Sequence, residues 1–385
     1  MVISNNMFAY RLVVKLYPEL SQTTNLVCCQ MKIAYVLSHN IDSNDGVVKK
    51  IIDQISVWEK QGHEVIVFSI CKNGDKSLLK AKCYPFEGAI KSRIFVNSDL
   101  LNDITAFNPD ILYFRYDFWN STVFKLASKF KLIIESNTAS IQEAWLQLKT
   151  DSSLKALLRY TSLLVFNKLF SKRIKGVVSV TNEIFRLEYN QSNAVPHITV
   201  TNSVNLDKYK PLKCSEQNAK TSLCFLGSPN QDWHGTDIIE EIAKRLPMYD
   251  FHIIGPSGEN RSNLTYHGFL TSSDYGKILS QCHVAIGTLA LHRKGLSEAC
   301  PLKVREYLLA GFPIVLGYED IVDKNKPSWC FKLDDLSDKS VAELQQFIER
   351  NQYFTVPKSE LSAIDASLNE IMRLNFFNEI RQTHE

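Results

Sequence analysis

The feature that most constrains this chain is a repeated alternation of short apolar runs with amphipathic segments, in two series. Lys32–Ser38 (KIAYVLS) is an apolar run ending in polar residues, as a buried parallel strand would be. A polar loop follows, then helical periodicity over Val47–Gln61, then a second run at Glu64–Ile70 (EVIVFSI). Strand, loop, helix and strand in so short a span define a βαβ unit, whose parallel strands need a crossover helix. The pattern continues through strands at Asp110–Arg115, Lys131–Glu135, Gly176–Val180 and His197–Thr201. After a polar, helix-poor stretch at 202–220 it restarts. Strands are expected at Leu223–Gly227, Phe251–Gly255, Leu264–His267, Val284–Gly287 and Pro313–Gly317. Helices are expected at Thr236–Leu246, Asp274–Gln281 and Leu302–Ala310.

A length of 385 residues suits two such domains better than one. The expected organisation is an extension at 1–30, a first Rossmann-like domain at 31–201, a linker at 202–220, a second Rossmann-like domain at 221–336 and a polar helical tail at 337–385. Within the first 30 residues Arg11, Lys15 and Glu19 interrupt the apolar positions, so no signal-peptide core forms, and MKIAYVLS from Met31 reads like a natural start. Two doubly wound sheets facing a central cleft place ligands beyond the carboxyl ends of their strands.

Composition removes several classes. A net charge of +3 is too small for a nucleic-acid binder. The nine cysteines are scattered, with no CxxC pair, which argues against a zinc site and fits reduced thiols in a cytoplasmic protein. No apolar run is long enough for a transmembrane helix. No DxD motif occurs, and Asp334, Asp335 and Asp338 fall after the last expected strand, as surface charge, so no metal is expected. Leu154–Lys175 carries Lys155, Arg159, Lys168, Lys172, Arg173 and Lys175 among leucines and phenylalanines, without an acid. Such a helix suits an anionic membrane surface; the bland alternative is packing on a sheet with its lysines in water.

The chemistry-bearing stretch is Gly295–Val315, GLSEACPLKVREYLLAGFPIV. Pro301 suits a helix start, because its missing N–H costs nothing there. Leu302, Tyr307 and Leu308 give the helix an apolar face, and Gly311 with Pro313 ends it. Glu298 then lies in the preceding loop and Glu306 more than one turn inside the helix. Between them are the free N–H groups of a helix N-terminus, where a diphosphate could rest. Two glutamates at this spacing are also common as solvated surface charges.

The whole phrase, with Pro-Leu-Lys and Glu-Tyr followed by Ala-Gly-Phe-Pro-Ile-Val, resembles the E-x7-E signature of retaining GT-B glycosyltransferases, in particular glycosyltransferase family 4. The likeness runs from Met31 to about Asp320 and is greatest to enzymes of capsule, exopolysaccharide and lipopolysaccharide assembly. The resemblance implies a GT-B fold and a nucleotide-sugar donor, UDP- or GDP-linked. It also implies a saccharide or lipid-linked saccharide acceptor, retention of configuration and no metal. It implies that Glu298 contacts the donor sugar and Glu306 the ribose, with Pro301 and Leu302 opening the phosphate-binding turn. FLGSPNQDWHGTDIIEEI (225–242) resembles the family's opening strand, loop and helix, with Gly227 at the turn. Ser228 and His234 stand where the family has a phosphate-binding Arg and Lys. His234 can still donate a hydrogen bond, better when protonated. Positive charge could come instead from Lys303, Arg293 or Lys294; a solvated loop is the alternative for the last two. Gly268, in YHGFL, matches the turn that packs on the base. Gly46 matches part of a glycine-rich loop near the diphosphate or acceptor. Arg115, Asp117, Glu135 and Asn137, at strand ends of the first domain, are acceptor-site candidates. A non-catalytic nucleotide-sugar-binding subunit and a GT-B sugar-nucleotide 2-epimerase remain open beside the transferase. The expected location is cytoplasmic, peripheral on the inner membrane face.

Overall fold

The computed structural model describes residues 30–43, 45–72, 77–189, 195–214 and 220–383. The expectation for residues 1–29 lies outside them. Strands β1 (Lys32–Leu37), β2 (Glu64–Cys71), β3 (Lys82–Pro85), β4 (Ile111–Tyr116), β5 (Lys131–Ser136), β6 (Ile174–Ser179) and β7 (His197–Thr199) form one sheet, ordered β3-β2-β1-β4-β5-β6-β7. Strands β8 (Ser222–Leu226), β9 (Asp250–Ile254), β10 (Leu264–Gly268), β11 (Val284–Ile286), β12 (Ile314–Leu316) and β13 (Cys330–Lys332) form the other, ordered β10-β9-β8-β11-β12-β13. β1 pairs in parallel with β2 and β4, and β8 in parallel with β9 and β11. Both orders wind outward from a first strand and then reverse, so each sheet has a topological switch point, at β1/β4 and at β8/β11. These are the two Rossmann-like doubly wound sheets expected from the alternation.

The helices are α1 (Gly46–Lys60), α2 (Ala89–Ile94), α3 (Ser98–Phe107), α4 (Ser121–Leu126), α5 (Ser140–Thr150), α6 (Leu154–Ser171), α7 (Asn182–Tyr189), α8 (Thr236–Arg245), α9 (Ser272–Leu279), α10 (Leu302–Leu309), α11 (Asp338–Asn351) and α12 (Ala366–Gln382). The chain divides into two compact units. One comprises residues up to 135, with 173–176 and the chain from 366 onward; the other comprises 136–172 and 177–365. The tail expected after residue 337 is therefore two helices, α11 in the second unit and α12 in the first. Nor is α12 a polar appendage: it buries Met372, Leu374, Phe376, Phe377 and Ile380.

The first unit is organised by a buried polar network within an aromatic cluster. Trp58 and Tyr113 pack on Phe377 at ring separations of 5.6 and 4.9 Å. The Trp58 indole donates to Glu370 at 2.8 Å, and Arg373 donates to Glu370 and to the Tyr113 hydroxyl. Glu135 accepts from Lys50 at 2.7 Å, Arg115 at 3.1 Å and the Tyr35 hydroxyl at 2.6 Å. Burial alone would raise the Glu135 carboxyl, but Lys50, Arg115 and Arg373 outweigh it and hold it well below the usual range. Glu135 and Arg115, read from the sequence as acceptor-site candidates, are thus bonded to each other within this network. Asp117 pairs with Arg93 at 2.8 Å.

In the second unit, α8 lays Ile239, Ile242 and Ala243 on the sheet. The stretch expected to be a linker packs instead: Leu206 belongs to the core, and the Lys210 and Leu212 amides donate to the carbonyls of Leu309 and Ala310 at 2.9 and 3.0 Å. Among the described residues no helix is long and apolar enough to cross a membrane.

Candidate active site

The switch point of the second sheet lies between β8 and β11, and the site residues follow those two strands. β8 ends at Leu226, whose amide donates to the Tyr307 hydroxyl at 2.7 Å. This bond ties the first turn after the strand to helix α10. A second tie is deeper. Arg305 makes two buried bonds to Asp320, at 2.9 and 2.8 Å, and a third, partly buried, to the Asn202 carbonyl at 2.8 Å. A guanidinium bonded through each of its three nitrogens and paired with a carboxylate is a form in which a buried charge is tolerated. Together the ties fix where the N-terminus of α10 points.

That N-terminus is built as the sequence suggested. Pro301 precedes the helix with φ −66° and ψ 142°, and no side chain caps the first turn. Lys303, on this turn, lies over the Phe225 ring at 4.0 Å. Its Nζ is buried and has no hydrogen-bond partner, and burial pushes the amine down to about 7. Next to it, His234 receives the Ser228 amide on Nε2 at 3.1 Å. The ring proton therefore sits on Nδ1, which is buried and also without a partner. Burial, then the charges of Lys303 and Lys294, pushes His234 down to about 3. At neutral pH His234 in the free protein is therefore an uncharged Nδ1–H donor, not the protonated form that would donate more strongly. Gly227 makes this closeness possible, since a Cβ there would lie 2.5 Å from the Phe225 ring and 2.8 Å from that of His234.

Arg293 and Lys294 are engaged elsewhere. Arg293 forms two bonds with Asp237, at 2.9 and 2.7 Å, and one with the Asp232 carbonyl at 2.8 Å. Lys294 pairs with Glu143 at 2.8 Å and sits 3.6 Å from the Trp233 ring centre. Gly268 has φ +64°, which favours glycine, and no atom lies within 4 Å of its Cβ direction, so backbone conformation and not close packing accounts for it. Gly46 opens α1, whose first amides, those of Val47 and Val48, already donate to the Asp45 carboxylate at 2.9 and 3.1 Å. That helix end is capped by an anion and not open to one.

Glu298 is half-buried and bonded to a residue the sequence reading did not single out. The Glu183 carboxylate accepts from the amides of Ser297 and Glu298, at 2.9 and 2.8 Å, and from the Ser297 hydroxyl at 3.0 Å. In return the Glu298 carboxylate accepts the Glu183 amide at 3.3 Å. Thr181 and Asn182 announce a helix start before Glu183, but nothing in the sequence ties it to a loop 115 positions away. Glu306 is half-buried, and its charge, after burial, raises the hydroxyl of Tyr275 on α9.

No family profile matches the sequence, and no curated protein sequence is similar to it. Solved structures do match. The fold is of the GT-B type found in glycosyltransferases, two Rossmann-like α/β domains. A sucrose-phosphate synthase from Thermosynechococcus elongatus aligns with a TM-score of 0.65 at 11% identity, covering 91% of this chain and 99% of that one. The lipopolysaccharide outer core galactosyltransferase WaaB aligns with a TM-score of 0.60 at 14% identity, over 90% and 99%. An alpha-glucosyltransferase solved with UDP-glucose and DNA gives 0.60 at 13% identity, over 91% and 100%.

Proposed function

We propose that this protein is a retaining glycosyltransferase that moves a sugar from a nucleotide-sugar donor to a saccharide or lipid-linked saccharide in cell-surface polysaccharide synthesis. The observation that carries the reading is the pair of buried, unpartnered donors, Lys303 Nζ and His234 Nδ1, beside the uncapped N-terminus of α10. Orphaned buried donors are costly, and two of them next to free helix amides are accounted for by an anion with several acceptor oxygens. A diphosphate is such an anion, and several fold neighbours were solved with UDP or UDP-glucose.

In this reading the acceptor hydroxyl oxygen bonds to the anomeric carbon of the donor as the carbon–oxygen bond to the diphosphate breaks. The hydroxyl proton passes to the departing diphosphate on the same face, so configuration is retained. Lys303, His234 and the α10 amides act by stabilising the charge that grows on the diphosphate. Glu298 hydrogen-bonds the donor sugar, and Glu306 the ribose. Membrane-bound acceptors suit helix α6, whose Ala156, Leu163, Asn167 and Phe170 are buried while Leu154, Leu158 and Val165, on the opposite side, are 72, 57 and 57% exposed among basic residues. An apolar stripe flanked by lysine and arginine favours anionic lipid, with the protein peripheral on the cytoplasmic face.

A thermal-shift screen against UDP, GDP, ADP and CMP and their sugar conjugates tests the reading, because a ligand bound only by the folded state stabilises it. Stabilisation by one nucleotide family names the donor class. No shift with any of them would sink the proposal.

A further inference from the structure

A cavity of about 810 Å³ is lined in part by the Glu298 loop. Its walls are four chain segments: 180–182, 199–201, 298–300 and 319–334. Residues 180–182 follow β6, 199–201 close β7, and the last segment follows β12 and runs through β13. Three of the four segments thus include or directly follow the carboxyl end of a strand in a parallel pairing, where α/β folds hold ligands. None of Phe225, Gly227, His234 or Lys303 lines it, so it is separate from the cationic cluster, while Glu298 is one of its lining residues.

The wall chemistry selects the ligand. Lys332 lies 3.4 Å from Glu319 and 3.6 Å from Asp334, which makes a row of acceptor, donor and acceptor groups. Glu298 and Asp323 add carboxylates, and Lys324 and Lys326 add ammonium groups, while the Asp320 charge is already neutralised by Arg305. Carboxylates therefore outnumber lysines by one, which disfavours a phosphate or an acidic ligand, and the charged walls disfavour an apolar one. Thr181, Asn182, Thr199 and Thr201 add hydroxyl and amide groups, and Phe331 one half-buried apolar face. Closely spaced donors and acceptors around a single ring face match the vicinal hydroxyls of a sugar. The volume is that of a drug-sized site and exceeds a single ring.

We infer that this cavity, which Glu298 lines, binds the acceptor as a neutral saccharide. The acceptor role rests on the transferase reading, and the preference for a neutral sugar rests on the walls alone. The test is saturation-transfer NMR on the full chain with glucose, galactose, N-acetylglucosamine, lactose and maltose, alongside glucuronate and glucose 6-phosphate. Neutral sugars should take up saturation and the anionic ones should not. The signal should disappear in Thr201→Trp, which fills the cavity, and in Lys332→Met, each checked for an unchanged melting temperature. It should persist when UDP or GDP is added. Absence of any neutral-sugar signal, or a signal surviving in both variants, overturns the inference. Displacement of the sugar by a nucleotide sugar but not by its parent nucleotide would assign the cavity to the donor's glycosyl group and overturn the acceptor role. A nucleotide-induced thermal shift without a saccharide signal overturns only this inference and leaves the transferase reading standing.

Discussion

In the proposed binding mode, Lys303 makes nucleotide binding depend on pH with a sign that the geometry dictates. In the free protein the amine is buried, unpartnered and depressed to about 7. A diphosphate placed against it favours the ammonium, so binding takes up a proton. The affinity then follows the fraction already protonated in the free state. That fraction falls from about one half at pH 7 to about 3% at pH 8.5, so the dissociation constant should rise by roughly 15-fold over this interval. Titration calorimetry in buffers of different ionisation enthalpy measures both the affinity and the proton uptake. Lys303→Arg keeps its charge at every pH used and should flatten the dependence, whereas Lys303→Met should be weak and flat. Without ligand the same depression acts on folding. The unfolded chain binds the proton more readily, so this group's contribution to stability rises with pH between about 7 and the ordinary lysine value of 10.5. Affinity independent of pH between 7 and 8.5, or a slope retained in Lys303→Arg, would refute the reasoning.

Other outcomes follow from separate parts of the molecule. Glu306→Ala should weaken nucleotide binding by about 1–3 kcal/mol through loss of a charge-assisted hydrogen bond, and an unchanged dissociation constant removes its ribose role. His234→Ala should lower turnover more than donor affinity if Nδ1–H meets charge that develops in the transition state; equal turnover in mutant and parent discards that role. Arg373→Met leaves Glu370 without its guanidinium partner in the interior of the first unit and should cost about 3–5 kcal/mol in urea unfolding. Leu158→Glu with Val165→Glu should abolish co-flotation with phosphatidylglycerol vesicles without lowering the melting temperature, and flotation equal to the parent's would exclude α6 as the attachment face.

What could be read without coordinates follows from how each interaction is encoded. Strands buried on both sides are apolar throughout, so KIAYVL, EVIVFSI and SLCFL stand out from the helices beside them. β3 and β13 do not. They have four and three residues, lie at the ends of their sheets and carry lysine, so no apolar run marks them. The α10 turn was legible because Pro301, the apolar helical face and Gly311 are local signals. Charge state was not. His234 and Lys303 are visible as residue types, but their protonation depends on burial beside Phe225 and, for His234, on the charge of Lys303, which only the folded chain brings together. The same holds for Arg293, a free cation in the sequence and a partner of Asp237, 56 positions away, in the structure. Glu183 is the sharpest case. Its carboxylate organises the loop that carries Glu298, yet its local sequence says only that a helix begins. A motif therefore marks candidate reacting groups more readily than the groups that hold them, because a reacting group is set by its local chemistry and a holding group by a partner distant in the chain.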